Sequence, residues 1–585
     1  MNLHRHLHRL TQWSLPMLAM LVGACSGQPV APANDLVISI VGTNDVHGEL
    51  SSRPGHGGLV GVSGYVDALR QKRRGDNGAV LLIDAGDMWQ GTLESNMAEG
   101  AAMVDAYNAM RYTAAAVGNH EFDFGPAGPA AIPERPGDDP RGALKLRFAE
   151  AKFPALAANI IDDTTGMPVS WDNVRPSVMV DVQGVKVGIV GVLSSNGLIT
   201  TIAANTVGLS LAPLAETITK EAGALRAGGA DIVIVTAHAG GRCNEFDDPR
   251  DLSSCNLDGE IMRVARALPS GLVDHIIAGH VHQGIAHVVN DIAITSSYSS
   301  TRAFSRVDFT VDRDTGAIEK RQVYPPQPAC LRVRYPGGAC ASPADPTHRI
   351  RDAAYEGIPV VPDAVVVAIA NQAAALAGTI RNEALGVVLT LAFEPPSGTE
   401  SPLGNLMTDA LRESLGADVA VHNVRGGIRS GLPAGPLTFG DVYKMFPFDN
   451  RVVILDLTGH ELRDIVVGQL QERRPLAGFS GLRVFVSCDN NAMDVTLQLD
   501  DGRQLEDADR VSLLANDFLA LGGDDVLTPV IPADGFPIDE SLPLTRDVLV
   551  GWFKQRSAPL HPDDFRSDDT PRWNLPVNFP ESCRL

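Results

Sequence analysis

The sequence Gly-Asn-His-Glu-Phe-Asp at residues 118–123 follows directly on a short apolar run at residues 114–117. It places an amide, an imidazole and two carboxyl groups within six residues. Short apolar runs with almost no polar alternation are typical of strands that are covered on both faces. Because ligands gather at the carboxyl ends of strands in open α/β sheets, this stretch predicts an α/β fold with a polar site at the end of a buried strand.

Four more apolar runs share this arrangement, since each is followed by side chains that divalent metals prefer. The runs cover residues 36–41, 79–83, 232–235 and 276–278, and they lead to Asp45 and His47, to Asp87, to His238, and to His280 and His282. In each pair two residues apart, the side chains point to the same side of an extended segment. Five strands that deliver carboxylate, amide and imidazole groups to one edge predict a two-metal site, and therefore a metalloenzyme.

Two neighbours of Asp87 have predicted roles of their own. Gly86 allows the backbone to turn sharply, which exposes the carboxylate of Asp87. Asp84 lies closer to the strand, and we expect it to anchor a neighbouring imidazole rather than to bind a metal.

Length and charge limit the kinds of protein that this chain can be. Its 585 residues are too many for one compact core, so two large domains are expected. A formal net charge of −22 argues against binding polymeric nucleic acid, which needs a basic surface. A single nucleotide held in a metal-containing pocket remains compatible with this charge.

The N-terminus has the pattern of an export signal. Arg5 and Arg9 precede an apolar core at residues 15–23, which is too short to span a bilayer as a mature helix. The sequence that ends this core at Cys25 resembles the bacterial lipobox, so residues 1–24 are predicted to be a lipoprotein-type signal peptide and residues 25–34 a tether. The alternative is an ordinary signal peptide that is cleaved near Ala24. The expected location is the periplasm or the cell surface, and Ser26 favours the outer membrane if the host is Gram-negative.

The cysteines support export. With Cys25 set aside for lipid, six remain, an even number in an exported chain. A cysteine-ligated zinc site is the alternative, but the sequence has no CxxC pair. Proximity in the sequence favours three disulfides, Cys243–Cys255, Cys330–Cys340 and Cys488–Cys583.

Strand and helix patterns alternate up to about residue 324, which predicts a first domain at residues 35–324. Residues 325–362 are rich in proline and have little periodicity, so they are predicted to be a linker. The second domain is predicted at residues 363–585. Its expected helices cover residues 363–379 and 403–415, and its expected strands cover residues 419–422, 452–457 and 482–486. Loops are expected at residues 425–431 and 516–525.

The motifs in this order resemble the calcineurin-like metallophosphoesterases, and Gly-Asn-His-Glu-Phe-Asp is similar to the 5′-nucleotidase / 2′,3′-cyclic phosphodiesterase family. The resemblance implies an α/β architecture, with an N-terminal four-layer αββα metallophosphoesterase domain and a C-terminal α/β 5′-nucleotidase substrate-binding domain. It also implies two divalent metal ions that activate a water and clamp the phosphoryl oxygens.

Carried over motif by motif, the resemblance assigns the ligands. Asp45, His47 and His282 are expected to hold one metal, Asn119, His238 and His280 the other, and Asp87 to bridge them. Oxygen and imidazole ligands without thiolate suit Zn, Mn, Co, Fe or Mg, so the identity of the metal stays open. His120 is expected to stabilise the transition state and donate a proton to the leaving oxygen, with Asp123 orienting it.

Four strings in the second domain resemble the nucleotide-binding domain of the family, at residues 400–406, 423–429, 446–450 and 516–524. A base that stacks between Phe448 and Phe518 would gain about 1–3 kcal/mol per contact and would tolerate any base. The other residues that the resemblance implies in substrate binding are Asn423, Arg425, Arg429, Asn450 and Asp524. Many members carry an arginine where this chain has Ser-Gly-Thr at residues 397–399, and Arg425 is the candidate to compensate.

The leading hypothesis is an exported, lipid-anchored 5′-nucleotidase-type phosphohydrolase whose partner is a small nucleotide. The membrane would be reached through Cys25, and no obligate protein partner is inferred. A phosphodiesterase acting on 2′,3′-cyclic nucleotides or UDP-sugars, or a hydrolase of sulfur esters, is the alternative within enzymes. A non-enzymatic lipoprotein that captures nucleotides would tolerate loss of metal ligands, and the chain keeps all seven.

Overall fold

The structure is a computed structural model of the chain. It describes residues 35–342, 344–471, 476–489, 492–532, 535–536, 538, 542–566 and 571–576. The predicted signal peptide, the lipidated Cys25, the tether and Cys583 lie outside the described residues.

Two sheets form the centre of the first domain. The seven-stranded sheet has the order Ile318–Pro328, Ala303–Asp312, Asp35–Thr43, Ala79–Asp84, Ala114–Ala116, Ala155–Leu156 and Val174–Arg175. The six-stranded sheet has the order Gly284–Val289, Ile292–Ser297, His275–Ala278, Ile232–His238, Val185–Leu193 and Ser177–Val182. The sheets pack face to face, because one buried cluster contains Ile38, Ile40 and Ile83 of the first sheet and Ile189 and Ile234 of the second.

Helices cover the outer face of each sheet. Gly58–Gly75, Ala101–Met110 and Gly142–Glu150 bury their apolar side chains against the seven-stranded sheet. Leu214–Ala227 and Glu260–Ala267 do so against the six-stranded sheet. In the first helix the buried Leu59, Val62, Val66 and Leu69 recur at intervals of three and four residues, the spacing of one helical face. The result is the expected four-layer αββα domain.

All five apolar runs that precede the predicted ligands are strands, but they do not belong to one sheet edge. Asp35–Thr43, Ala79–Asp84 and Ala114–Ala116 run parallel in the seven-stranded sheet. Ile232–His238 and His275–Ala278 run parallel in the six-stranded sheet. The prediction of a single edge is therefore wrong, because two sheets that pack face to face bring both sets of carboxyl ends to the same place.

The segment at residues 325–362 is docked on the first domain. It continues the strand Ile318–Pro328 and contains the pairs Arg332–Arg334 with Ile350–Asp352 and Ala354–Tyr355 with Ile358–Pro359. The hydroxyl of Tyr65 donates to the carbonyl of Cys330 at 2.9 Å, and the guanidinium of Arg306 donates to the hydroxyl of Tyr355 at 2.9 Å. These contacts hold the connection between the domains in a fixed position.

The helix Ala364–Arg381 begins where the sequence predicts, with Asp363 as its N-cap. Its buried Val366, Ala370 and Ala373 belong to the core of the first domain, while Ala377 packs with Leu93 and Tyr443. This helix is long and apolar enough to cross a membrane, but buried helices in the core of globular proteins can have the same length and composition. Of its 18 residues, 22% are buried. Its packing shows that it joins the two domains.

The second domain has a four-stranded sheet in the order Val452–Thr458, Arg510–Asn516, Val419–His422 and Gly478–Ser480. Three strands form a second sheet, in the order Ala492–Leu499, Leu482–Asp489 and Trp573–Asn574. Ala384–Leu389 pairs with Gly435–Thr438. The helices are Pro402–Leu415, Val424–Gly427, Phe439–Met445, Gly459–Gln471, Asp517–Ala520 and Thr545–Lys554. The predicted strands and the predicted helix at 403–415 are present; the expected loops at 425–431 and 516–525 instead contain short helical turns.

Two of the predicted disulfides are present, Cys243–Cys255 and Cys330–Cys340. They remove these four thiols from any zinc site. The predicted pair Cys488–Cys583 includes a residue outside the described part of the chain.

Candidate active site

The loops at the carboxyl ends of the two sheets carry an unusual backbone. Positive φ occurs there at five predicted metal ligands, namely Asp45 (48°), His47 (50°), Asp87 (60°), His280 (75°) and His282 (56°), and also at Tyr298, Ser300 and Thr301, which follow the strand Ile292–Ser297. Each such residue costs about 1–3 kcal/mol and persists only where the surroundings hold it. Five of the seven predicted metal ligands therefore have this conformational cost, as do three residues of the neighbouring loop.

The first group of predicted ligands is Asp45, His47 and His282. His47 donates its Nδ1–H to the carbonyl of Gln90 at 2.9 Å, which leaves the lone pair of Nε2 free. This Nε2 lies 3.0 Å from Nε2 of His282, and the latter lies 3.4 Å from Oδ1 of Asp45. Three lone-pair atoms therefore converge, with the separations of about 3 Å that neighbouring ligands of one metal show.

The second group is Asn119, His238 and His280. Asn119 donates its amide to the carbonyl of Thr200 at 2.7 Å, so its Oδ1 faces Nε2 of His238 at 2.9 Å. His238 donates Nδ1–H to the carbonyl of Ala85 at 2.7 Å. Nδ1 of His280 completes the group at 3.1 Å from Oδ1 of Asn119.

Asp87 lies between the two groups. Its Oδ2 is 3.2 Å from Nε2 of His238 and 3.9 Å from Nε2 of His47, while its Oδ1 accepts the backbone N–H of His120 at 2.9 Å. One carboxylate oxygen thus faces both groups, which is the position of a bridging ligand.

The charges of this cluster suit divalent cations. The carboxylates of Asp45 and Asp87 are 0% and 1% exposed. Burial lowers the pKa of His280 to about 4 and holds that of His47 well below its usual value, so both rings keep neutral lone pairs. Burial also tends to lower the pKa of His238, but the negative charges of Asp87 and Asp45 have a larger effect and raise this pKa to about 10. The buried carboxylates demand positive charge, and two divalent cations fit the donor set.

Asp84 does not anchor an imidazole, so that prediction is wrong. Its carboxylate accepts hydrogen bonds from Thr43 Oγ1 at 2.6 Å, Tyr107 Oη at 2.9 Å and the N–H of Gly86 at 2.8 Å. The neighbouring imidazole of His238 is oriented by the carbonyl of Ala85 instead. Gly86 itself has φ +91°, as its predicted turn requires.

Glu121 holds the loops together, a role that the sequence did not reveal. Its buried carboxylate accepts three backbone N–H groups, from Asp87 at 2.9 Å, Met88 at 2.7 Å and Gly118 at 2.7 Å. Burial, with the nearby charge of Asp87, raises its pKa to about 8. The position of Glu121 inside the Gly-Asn-His-Glu motif was the one feature of the sequence that could have indicated this role.

His120 sits beside the ligands in a chain of hydrogen bonds. The guanidinium of Arg429, from the second domain, donates to Nε2 of His120 at 2.8 Å. Because arginine has no acceptor, Nδ1 carries the ring proton, which it donates to Oδ2 of Asp123 at 2.6 Å. Thr201 Oγ1 donates to the other oxygen of Asp123 at 2.8 Å and fixes that carboxylate.

A cavity of about 250 Å³ lies between the two domains at this point. From the predicted set it brings together Asp87, Asn119, His120, Asp123, His280 and His282 of the first domain with Asn423, Arg429, Phe448, Asn450, Phe518 and Asp524 of the second. The remaining predicted ligands, Asp45, His47 and His238, are buried and do not line the cavity. Arg425 lies elsewhere, since its guanidinium donates to the carbonyl of Gly398 at 2.8 Å beside a separate depression.

The second-domain side chains in the cavity are already engaged. The Arg429 guanidinium lies 5.1 Å from the centre of the Phe448 ring, and that ring lies 5.8 Å from His120. Asn423 donates to Asp524 at 2.7 Å, and Asn450 donates to Asp517 at 3.0 Å.

Four lining residues escaped the sequence reasoning, namely Asn196, Thr200, Thr201 and Ile202, whereas Phe446 and Asn516 lie within the strings at residues 446–450 and 516–524 that it singled out. Residues 196–202 follow the strand Val185–Leu193 of the six-stranded sheet. A polar stretch at the end of a buried strand is the same signal that identified the predicted metal ligands.

Comparisons with known families cover both domains. Residues 38–284 match the calcineurin-like phosphoesterase family, and residues 377–530 match the 5′-nucleotidase C-terminal domain. Among curated relatives, the 5′-nucleotidase of Vibrio cholerae is 24% identical over 86% of this chain and 90% of its own length.

Two other relatives are longer proteins. Endonuclease YhcR of Bacillus subtilis is 25% identical over 84% of this chain, and the cell wall protein Lmo0130 of Listeria monocytogenes is 26% identical over 84%. The aligned part is 37% of the first and 64% of the second. Among solved structures, a 5′-nucleotidase precursor from Thermus thermophilus superposes with a TM-score of 0.67 at 21% identity, over 90% of this chain and 99% of that one. That match shows a shared fold.

Proposed function

The chain belongs to the calcineurin-like phosphoesterases that carry a 5′-nucleotidase C-terminal domain, and from this we propose that it is a two-metal phosphohydrolase that releases phosphate from nucleotides. One observation carries the proposal. Four of the seven ligand-type side chains, Asp87, Asn119, His280 and His282, line a single cleft together with the His120–Asp123 pair, an arginine and two phenylalanines of the other domain, and the other three are buried in contact with them.

The residues divide into two ligand groups that share one carboxylate. Asp45, His47 and His282 would hold one cation, Asn119, His238 and His280 the other, and Asp87 both. Divalent cations bound there supply an activated water and Lewis-acid stabilisation of the phosphoryl oxygens. The hydrogen bonds from His47 to Gln90 and from His238 to Ala85 fix both rings with Nε2 towards the site.

His120 is placed to manage the proton of the leaving oxygen. Its Nε2 faces the cavity, and its Nδ1–H is held by Asp123, so the carboxylate stabilises the imidazolium form that a proton donor needs. Thr201 keeps Asp123 in this orientation through the 2.8 Å hydrogen bond. The three residues form a relay that lies next to, and not within, the ligand set.

The second domain supplies substrate contacts. Arg429 is close enough to His120 to make charge-assisted hydrogen bonds to a phosphate bound at that position. Phe448 and Phe518 both line the cavity and offer faces on which a base can stack. Because Arg429 covers the Phe448 ring here, binding of a nucleotide would move the guanidinium from the ring towards the phosphate.

Export and lipid anchoring belong to the same proposal. The disulfides Cys243–Cys255 and Cys330–Cys340 are typical of an oxidising compartment. One relative is described as a cell wall protein and one structural neighbour as a precursor. We place this chain outside the cytoplasm, attached to a membrane through lipidated Cys25.

A substrate panel tests the proposal. The purified protein is loaded with Mn²⁺, Zn²⁺ or Co²⁺ and offered AMP, UMP, ATP, UDP-glucose, 2′,3′-cyclic AMP and bis-p-nitrophenyl phosphate. A preference for the nucleoside monophosphates AMP and UMP over the other compounds would support the proposed function. Activity confined to the diesters would keep the two-metal chemistry and reassign the substrate, and no hydrolysis with any metal would refute it.

A further inference from the structure

Gln90 touches both domains at the active site. It follows the ligand Asp87 by three residues and is 2% exposed. Its main-chain carbonyl accepts the Nδ1–H of the ligand His47 at 2.9 Å. Its side-chain Nε2 donates across the domain boundary to the carbonyl of Pro447 at 3.1 Å. One residue thus orients a metal ligand with its backbone and holds the other domain with its side chain.

The far end of this hydrogen bond lies in the loop that carries the stacking ring. Pro447 stands between Phe446, which is fully buried in the core of the second domain, and Phe448, which lines the cavity. The hydrogen bond to the Pro447 carbonyl therefore helps to set the distance between the rings of Phe448 and His120, whose centres lie 5.8 Å apart.

We propose that Gln90 is a positioning residue that sets the nucleobase-binding loop at residues 446–450 relative to the metal ligand His47. The inference rests on the proposed function, because it assumes that Phe448 contacts the base. Gln90 would act on the recognition of the base and not on the reacting phosphorus.

The chemistry of the contact requires an amide donor at this position. A backbone carbonyl can only accept, so the side chain of residue 90 must present N–H to it. Asn96 donates weakly to the same carbonyl at 3.4 Å and accepts the N–H of Gly91 at 3.0 Å. Gln90 Oε1 is buried with no hydrogen-bond partner among the described residues. Among the described residues, the Pro447 carbonyl is therefore the one hydrogen-bond partner of the Gln90 side chain.

Gly91 keeps this segment tight against His47. It has φ +151°, and a Cβ there would come within 2.4 Å of the His47 carbonyl oxygen. Because the backbone at residues 90–91 has no room to shift, a change in the Gln90 side chain leaves the His47 contact in place and removes only the contact to the second domain.

The test compares AMP with ribose 5-phosphate, the same ester without its base. Gln90→Leu removes the donor at similar size, and Gln90→Glu keeps the shape while replacing the donor by an acceptor. For both variants we expect kcat/KM for AMP to fall about tenfold, mainly through KM, the effect of one lost hydrogen bond. The value for ribose 5-phosphate should stay within about twofold, with the bound metal unchanged. Gln372→Leu, at an exposed site on the interdomain helix, is the matched control.

Equal losses for both substrates would overturn the inference, since Gln90 would then act on the metal site, and so would no loss for either. Hydrogen–deuterium exchange gives a readout without turnover, because the amides of residues 446–450 should exchange faster in the variants than in the wild type and the control. Unchanged exchange together with unchanged KM for AMP would contradict the role. If the wild-type protein hydrolyses no nucleotide, the proposed function fails by itself, and identical exchange of this loop in Gln90→Leu and wild type would reject the contact separately.

Discussion

At the scale of single residues, the predicted metal ligands and the predicted proton donor are held by different contacts. In two of the predicted ligands, the ring nitrogen that points away from the site donates to a main-chain carbonyl, as Nδ1 of His47 does to the carbonyl of Gln90. His120 is fixed by Asp123 and Thr201, and it contacts the ligand set through its backbone N–H to Asp87. Loss of the His120 side chain should therefore affect catalysis and spare the metals.

His120→Ala provides the first prediction. Turnover of the preferred substrate should fall by about 10²–10⁴-fold, the usual contribution of a positioned acid or base, with KM changed little. Metal analysis of the same sample should still find two ions per chain. His348→Ala, at an exposed position, is the control and should retain full turnover. Unchanged turnover of His120→Ala would reject the assigned role.

Glu121→Gln provides the second prediction. A carboxylate that accepts three N–H groups is replaced by an amide with one acceptor oxygen, so at least one backbone donor is left buried and unpaired. We expect the free energy of unfolding to fall by about 1–3 kcal/mol. We also expect weaker metal binding, because the backbone N–H of Asp87 donates to this carboxylate. Denaturant titration and metal affinity measure both. Glu216→Gln, exposed on an outer helix, should change neither, and an equally stable Glu121 variant would show that the loops do not depend on it.

At the scale of strands and helices, the buried strands determine where the ligands meet. The apolar runs predict these strands well because burial on both faces removes polar residues from them. The sequence does not predict which sheet such a strand joins, because a uniformly apolar run contains no residue that identifies its neighbouring strands. Only the pairing of Ile232–His238 with His275–Ala278, and of Asp35–Thr43 with Ala79–Asp84, separates the runs into two sheets.

Short turns limited the prediction of the substrate contacts. The expected loop at residues 425–431 begins in the structure with the helical turn Val424–Gly427. Arg425 therefore binds the carbonyl of Gly398 while Arg429 reaches the cavity. Glu121 was missed for a different reason, because a carboxylate that binds backbone N–H groups resembles any acidic loop residue in the sequence.

The end of the strand Val419–His422 gives a prediction on pH. His422 is buried, and burial lowers its pKa to about 3, so the folded protein keeps it neutral. The unfolded chain protonates this histidine below its ordinary value of about 6.5. Its contribution to stability is therefore complete above about pH 6.5 and is lost as the pH falls towards 3.

The measurement compares the free energy of unfolding at about pH 7 and pH 5 in wild type and His422→Leu. The wild-type loss should exceed that of the variant by about 2 kcal/mol, from 1.36 kcal/mol per pH unit over about 1.5 units. Parallel losses in the two proteins would mean that His422 does not titrate on unfolding in this range.

At the scale of the whole molecule, the active site belongs to neither domain alone. The first domain contributes predicted ligands, His120 and the stretch at residues 196–202 to the cavity, and the second contributes Arg429 and the phenylalanines. The hydrogen bonds from Arg429 to His120 and from Gln90 to Pro447 cross the boundary, as does the ion pair between Arg381 and Glu94. The docked segment at 325–362 and the shared helix Ala364–Arg381 keep the two halves in register. Sequence motifs predicted which site residues each domain contributes. The contacts between the domains form only when the domains pack together, so no motif in the sequence predicts them.

Nucleotide hydrolysis in this cleft is expected to require two bound metal ions. To test this, Mn²⁺ is titrated into chelator-treated protein while bound metal is counted and phosphate release from AMP is measured. We predict two ions per chain, with phosphate release that develops only as the second site fills. Full activity with one bound ion, or no phosphate release with both sites filled, would rule out two-metal hydrolysis of nucleotides at this site.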